Sequence, residues 1–277
     1  MARRPRCPGG DATSREVTSR VARVSSGGRS RTRGVGRASE LATAAFARDA
    51  ARAGRGSVLA VTGDAGSGKT WLCESIAESA ADEGFRVGWG AGWPGEGVPE
   101  LWPWQQAVGP LGDLTTKALL AAPPAVDDPD WFTRCVAVVD HLRQVAGERP
   151  TVLVLDDVHL ADRPSRLLTQ FVARHVRGLP LVLVVAHRPA DDLAGLQRDA
   201  TPLTLHGLGP ADAAALLAAR GVDALAADDL SFLVDATGGL PGNLHRLANT
   251  AVDAAGVVRA VVHARLADLP PDVRRVA

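Results

Sequence analysis

Cysteine is scarce in this sequence, and long apolar runs are missing. Cys7, Cys73 and Cys135 are odd in number and far apart among 277 residues, which excludes a disulfide framework and a metal site with regular ligand spacing. No apolar run approaches the roughly 20 residues that a membrane-spanning helix needs. An apolar signal-peptide core is also missing. We therefore expect a cytoplasmic protein with no membrane segment.

A net charge is lacking too, since 31 basic residues balance 31 acidic ones. The balance hides a basic N-terminus, because residues 1–34 contain nine arginines against Asp11 and Glu16, a net charge of +7. This segment has few large apolar residues and cannot bury enough surface to fold. We expect a disordered basic tail over 1–34. Three interpretations compete with a tail without a dedicated role: an arm that attracts nucleic acid, an organelle transit peptide, or an upstream-extended start codon.

Short apolar stretches alternate with helical patterns over residues 35–207. The predicted strands are 57–62, 85–89, 151–155, 181–186 and 202–205. Ser39 and Asp130 are the predicted N-caps of two of the helices. Strands alternating with helices indicate an α/β domain with a parallel sheet. Beyond residue 207 only helices are predicted, at 211–220, 227–237, 243–254 and 257–266, so we expect a smaller helical domain over 208–277.

A glycine-rich turn links the first predicted strand to a helix and reads G-x-x-x-x-G-K-T. Its glycines allow main-chain N–H groups to point inward around phosphate oxygens, and the helix N-terminus favours an anion. Lys69 would reach the β and γ phosphates, and the Thr70 hydroxyl would ligate Mg²⁺. The predicted nucleotide-binding residues of this turn are Gly63, Asp64, Ala65, Gly66, Ser67, Gly68, Lys69, Thr70 and Trp71.

Two aspartates follow another apolar stretch, in the sequence TVLVLDD. A parallel strand would bring its carboxyl end to the phosphate site. We expect Asp156 to hold Mg²⁺ through its water shell and Asp157 to orient or deprotonate a water molecule. Because aspartate is one methylene shorter than glutamate, hydrolysis at this site is expected to be slow, which suits a switch.

Several stretches together resemble the signal-transducing ATPase module, the STAND branch of AAA-like NTPases, found in large ATP-binding LuxR-type transcriptional regulators. They are VGRASEL, GDAGSGKTWL, LDDVHLAD, LVLVVAHRP and GGLPGNLHRLA, and they extend from residue 35 towards the end of the chain. Family members often have tryptophan where this chain has Leu160. The resemblance implies a phosphate-loop NTPase fold with five parallel strands in the order 5-1-4-3-2, flanking helices and a helical lid.

The resemblance also implies roles for particular residues and implies ATP and Mg²⁺ as cofactors. Arg37 and Glu40 would lie beside the base, and Arg188 would sense the γ phosphate as a catalytic residue together with Lys69 and Asp157. Gly239 and Pro241 would close the lid over the nucleotide. Two simpler interpretations remain: Arg188 as a strand-end arginine bonded to a loop, and Pro241 as a helix-start proline.

Sequence features also bear on partners. Trp89, Trp93, Trp102 and Trp104 cluster in a stretch without Lys or Arg, so stacking on nucleic-acid bases is not expected, and core packing or partner contact is favoured. Neither a helix-turn-helix nor a helical repeat follows the lid. We therefore expect no sequence-specific DNA binding and interpret the chain as a truncated regulator. Self-association or contact with a regulator protein is a possible mode of action.

Three functions fit these patterns. The first is an ATPase switch that binds ATP with Mg²⁺ and reopens after slow hydrolysis. The second is a non-catalytic scaffold that binds nucleotide as a structural ligand. The third is a small-molecule phosphotransferase, for which the lid offers only Arg220 over residues 211–237.

Overall fold

The computed structural model describes residues 35–95, 97–111, 120–121, 126–189, 194–222, 225–250 and 256. The predicted tail over 1–34 and the predicted helix over 257–266 lie outside these ranges. Within them, no helix combines the length and the apolar character that a membrane crossing demands.

Strands and helices alternate through the first part of the described chain. The strands are β1 Ser57–Gly63, β2 Arg86–Ala91, β3 Thr151–Asp156, β4 Leu181–His187 and β5 Thr201–Leu205. The helices are α1 Ala38–Arg52, α2 Lys69–Asp82, α3 Trp102–Val108, α4 Asp130–Glu148, α5 Arg163–His175 and α6 Ala194–Gln197. Three further helices follow β5: α7 Pro210–Ala218, α8 Ala227–Thr237 and α9 Pro241–Thr250.

The five strands form one parallel sheet in the order β2-β3-β4-β1-β5. Read from the other edge, this is the predicted order 5-1-4-3-2, so the predicted phosphate-loop NTPase fold is confirmed. β3 and β4 are buried along their whole length, as expected for parallel strands covered by helices on both faces. The carboxyl ends of β1, β3 and β4 therefore meet at one edge of the sheet.

The predicted helix caps are wrong. Helix α1 begins at Ala38 with Arg37 at the N-cap, and α4 begins at Asp130 with Pro129 at the N-cap, in both cases without a side-chain cap. The sequence pattern also missed α3, because its seven residues are too few for an apolar period to emerge.

Two apolar clusters cover the faces of the sheet, and a third lies within α7, α8 and α9. Cys135 belongs to one sheet cluster and Cys73 to the other. Burial raises the pKa of the Cys135 thiol to about 11 and that of Cys73 well above its ordinary value. Both thiols are thus uncharged packing groups. The third cluster, centred on Leu208, Leu233 and Leu244, is the core of the helical lid.

The tryptophan-rich stretch contributes to the core through α3. Trp104 is fully buried, and its indole Nε1–H donates to the Ser165 carbonyl at 3.2 Å and to Thr169 Oγ1 at 3.1 Å. Trp93, in contrast, is 49% exposed. Core packing, one of the two predicted roles of the cluster, is thus fulfilled by Trp104.

Candidate nucleotide-binding site

The phosphate loop connects β1 to α2 through two glycines in left-handed conformations. Gly66 has φ of 81° and Gly68 has φ of 96°, which other residues adopt only with strain. At the start of the loop, a Cβ on Gly63 would lie 2.7 Å from the Leu205 carbonyl oxygen. Glycine is therefore required here by close packing against β5 as well as by the loop's conformation.

Lys69 is the first residue of α2 and is buried. Its Nζ donates to the main-chain carbonyls of Gly63, at 2.8 Å, and Asp64, at 2.9 Å. Burial lowers the pKa of this ammonium, while the carboxylates of Asp157, Asp156 and Asp64 act in the opposite direction. The ammonium thus lies inside the loop, where it braces the main chain.

Thr70 and Asp156 meet at the carboxyl end of β3. The Thr70 hydroxyl donates to Asp156 Oδ2 at 2.8 Å, and the Asp157 amide donates to Asp156 Oδ1 at 3.0 Å. Asp156 is only 1% exposed. A hydroxyl and a carboxylate are oxygen ligands of the kind that Mg²⁺ prefers, so this pair fits the metal that the phosphate loop implies.

Asp157 has an unusual backbone conformation, with φ of 49° and ψ of 42°. Its carbonyl lies so close to Gly92 that a Cβ there would approach it to 2.2 Å. The Asp157 carboxylate is 40% exposed and lines the same cavity as Lys69. The Asp157 carboxylate therefore shares one cavity with the phosphate loop.

Arg37 joins the phosphate loop to the end of β5. Its guanidinium donates to the Ser67 carbonyl at 3.1 Å and to the His206 carbonyl at 2.5 Å, and it pairs with Glu40 at 3.5 Å. Arg37 is 6% exposed and lines the cavity. In this structure it supports the main chain of the loop.

The helical lid touches the phosphate loop through the start of α9. The Gly242 amide donates to the Gly66 carbonyl at 2.9 Å, and the Pro241 ring lies 3.9 Å from the position of a Cβ on Gly68. At the base of the lid, the Leu208 amide donates to the Gly239 carbonyl at 2.7 Å. The start of α9 therefore packs directly against the phosphate loop.

A cavity of about 400 Å³ lies between the phosphate loop and the lid, a volume typical of small-molecule sites. Its charged side chains are Arg37, Lys69, Arg188 and Arg220 against Asp157. Ser67 Oγ is buried beside it and has no hydrogen-bond partner among the described residues. The excess of cations fits an anionic ligand.

The structure brings most of the predicted residues to this cavity. Its lining contains Arg37, Ala65, Gly66, Ser67, Gly68, Lys69, Thr70, Trp71, Asp157, Arg188 and Pro241. Asp156 joins them through Thr70, and Gly63 and Asp64 through Lys69. Gly239 supports the base of the lid instead.

Sequence reasoning missed the lid's share of the lining. The residues concerned are Leu208, Leu216, Arg220, Gly242 and His245, and Val35, which precedes α1, was missed as well. Arg220 lies 3.5 Å from His245, and burial lowers the pKa of that imidazole. The four-residue spacing of Pro241 and His245 places both on one face of α9, and Leu216 lies on a face of α7, with Arg220 just beyond the end of that helix. No local pattern shows that those faces meet the phosphate loop.

Comparison with known proteins agrees with this geometry. Residues 33–185 match the AAA ATPase domain family. A Walker-type ATPase of Pyrococcus abyssi shares the fold, with TM-score 0.53 and 12% identity over 83% of this chain and 72% of that one.

Two other solved structures are more distant. The Drosophila ORC bound to DNA has TM-score 0.49 and 16% identity over 97% of this chain and 66% of its own. A STAND protein of Pyrococcus horikoshii with a tetratricopeptide repeat sensor has TM-score 0.45 and 16% identity, with 77% of this chain and 31% of that protein covered. No match was found among curated proteins. With more than half of its length matched by the family, this chain belongs to the AAA ATPase domain family.

Proposed function

We propose that the chain is an ATP-binding switch that hydrolyses ATP slowly, as in the LuxR-type regulators that its motifs resemble. The observation that carries this proposal is the cavity beside the phosphate loop, in which Lys69, Asp157 and Arg188 face one space. Its surplus of cations supports a triphosphate as ligand. The domains would be an α/β core over 35–207 and a lid over 208–277.

Each group at the cavity has a role in this proposal. The loop amides and Lys69 bind the β and γ phosphates, and Thr70 and Asp156 hold Mg²⁺, which supplies positive charge against the phosphate oxygens. Asp157 accepts a proton from water as the water oxygen bonds to the γ phosphorus. The bond from that phosphorus to the bridging oxygen breaks, which yields ADP and phosphate. Arg188 stabilises the charge on the γ phosphate.

In this proposal the lid converts the state of the bound nucleotide into a conformational change. Because the Gly242 amide bonds the Gly66 carbonyl, a change in the phosphate loop is transmitted to α9 directly. Loss of the γ phosphate would remove the ligand of Arg188 and weaken the closed arrangement. The population of open molecules would then rise.

Nucleotide binding and turnover test the proposal together. The purified chain should bind ATP with Mg²⁺ and release phosphate above the background of Lys69→Ala. Asp157→Asn should keep ATP binding but lose turnover, by about 100-fold or more if Asp157 is the general base. Asparagine is the suitable replacement because it tolerates the left-handed backbone of this position.

Two outcomes would contradict this function. Tight ATP binding without turnover above the Lys69→Ala background would establish the scaffold instead. Phosphate transfer to an added small-molecule acceptor would establish a phosphotransferase. Light scattering in ATP and in ADP would show whether the oligomer changes with the nucleotide.

A further inference from the structure

Arg188 follows the last register pair between β4 and β1, which is His187 with Thr62. The amide and the carbonyl of Arg188 therefore lie beyond the paired residues of β4 and β1. Each of them contacts an imidazole. The Arg188 amide donates to His159 Nδ1 at 3.4 Å, a long bond. The Arg188 carbonyl lies 2.7 Å from His187 Nδ1. The main chain of Arg188 is thus held from both sides by histidine rings.

The partners of these rings determine their tautomers. A carbonyl only accepts, so His187 carries its hydrogen on Nδ1, and an amide only donates, so His159 Nδ1 offers its lone pair. Burial lowers the pKa of both imidazoles, in agreement with two neutral rings. Protonation of His159 would place a hydrogen on Nδ1 and remove the acceptor for Arg188.

His159 also links two strand ends. It lies on the short helical turn Val158–Leu160 that follows β3, and its Nδ1 is 3.9 Å from Asp157 Oδ1. The same nitrogen meets the amide at the end of β4. His159 and His187 are not among the described residues that line the cavity, whereas Asp157 and Arg188 are. The two imidazoles lie behind the groups that would face a nucleotide.

We propose that His159 and His187 are positioning residues that fix the main chain of Arg188, so that its guanidinium is directed at the γ phosphate. This inference rests on the proposed function. It assigns the discrimination between ATP and ADP to Arg188 and makes that discrimination depend on the two imidazoles. Neither histidine touches the reacting atoms.

Replacements of His159 separate positioning from packing. His159→Asn keeps an acceptor near the place of Nδ1, whereas His159→Leu removes the acceptor and His159→Gln moves its amide oxygen one methylene further out, towards the place of Nε2. The measurement is the dissociation constant for ATP and for ADP, both with Mg²⁺. His159→Leu and His159→Gln should lower the ratio of ATP to ADP affinity by about 3- to 10-fold, the value of one ordinary hydrogen bond. His159→Asn should retain most of the ratio.

The decisive comparison introduces His159→Leu into the Arg188→Ala variant. In that variant, His159→Leu should change the ratio no further, because the group that His159 positions is gone. His175→Leu is the matched control, since that exposed imidazole bonds the Phe171 carbonyl and stacks on the Phe171 ring within α5, away from the cavity lining. His187→Leu should lower the ratio, and His187→Asn should retain more of it, because its side-chain amide can still donate to the Arg188 carbonyl. If His159→Leu does not fold, the polar variant His159→Gln gives the same comparison.

The outcomes distinguish this inference from the proposed function. Equal losses of ATP and ADP affinity in His159→Leu, or a further fall of the ratio in the Arg188→Ala background, would overturn the positioning role. A wild-type chain that binds both nucleotides with a ratio unaffected by Arg188→Ala would overturn it as well, while leaving nucleotide binding intact. A wild-type chain that binds neither nucleotide would overturn the proposed function itself.

Discussion

At the scale of single residues, side chains buried near the cavity are neutral or braced by the main chain. Lys69 is bonded to two carbonyls, and the imidazoles of His159, His187 and His245 have lowered pKa values because of burial. A buried charge without a partner is costly. These histidines therefore make the fold sensitive to acid.

The free energy of unfolding should fall as the pH drops below 6.5, the usual pKa of histidine. Below that value the unfolded chain takes up protons that the folded chain excludes, so the unfolded state gains stability. Above 6.5 both states are neutral and these groups contribute no pH dependence. Urea unfolding at pH 7.5 and at pH 5.5, in the absence of nucleotide, measures the effect.

His187→Asn should make this pH dependence shallower, because it removes the most deeply buried of the three rings. Glu83 does not interfere in this range. Its hydrogen bonds with Arg48 hold its pKa below 4.5, so its contribution is lost only at more acidic pH. An unfolding free energy that stays constant or rises between pH 7.5 and 5.5 would contradict the assignment of neutral buried rings.

At the scale of elements, the contact between α9 and the phosphate loop needs a glycine at position 242. A Cβ on Gly242 would lie 2.9 Å from the Gly66 Cα, and one on Gly66 would lie 3.6 Å from the Gly242 Cα. The amide-to-carbonyl bond between them is possible because Gly242 has no side chain, whereas Gly66 is required by its left-handed φ of 81°. The lid and the loop can therefore approach each other more closely here than other residues would permit.

Gly242→Ala should weaken nucleotide binding by about 3- to 10-fold, because it breaks one hydrogen bond between the lid and the loop. Alanine favours a helix over glycine, so stability of the lid itself should not fall. Titration calorimetry with ATP and Mg²⁺ measures the change. Gly147→Ala is the control: it lies in α4 with nothing within 4 Å of an added Cβ. Unchanged affinity in Gly242→Ala would show that the contact does not support the site.

The strands were more predictable than the helices. Each strand boundary lies within two residues of its prediction, because runs such as TVLVL are apolar, β-branched and bounded by turns. The start of a helix depends on the direction from which the preceding chain enters it. Ser39 and Asp130, the predicted N-caps, both lie inside their helices. Helix α3 is set by the burial of Trp104 against α5, which no local pattern shows.

At the scale of the whole molecule, the sheet and the lid have separate apolar cores. Among the described residues the lid cluster is small, with seven buried members, whereas the sheet has large clusters on both faces. A small core contributes less to stability. We therefore expect the lid to open locally while the sheet stays folded.

Leu244→Ala tests this difference. Leu244 is fully buried in the lid cluster, so the change should destabilise the lid by about 2–5 kcal/mol. Amides of α7, α8 and α9 should then exchange hydrogen faster, while those of β1, β3 and β4 remain protected. Leu153→Ala, the same change in the sheet, should accelerate exchange in both parts. Uniform acceleration in Leu244→Ala would show that lid and sheet unfold as one unit.

The strand order was an implication of the family that the motifs resemble, whereas the amino-acid sequence by itself determined the parallel sheet and the phosphate loop. These features depend on short local patterns: apolar runs, the G-x-x-x-x-G-K-T spacing, and an aspartate pair at a strand end. Whether Lys69, Thr70, Asp156 and Asp157 bind ATP with Mg²⁺ stays a prediction, although the structure brings them together.

Only the tertiary structure decided which groups support the phosphate loop. Arg37 bonds carbonyls in the loop and in a residue 169 positions away, Gly242 bonds Gly66, and two imidazoles hold the main chain of Arg188. Apart from the His187 bond to its neighbour, these contacts join segments that are distant along the chain. They form because the sheet order places the carboxyl ends of its strands at one edge and because the lid folds back over them.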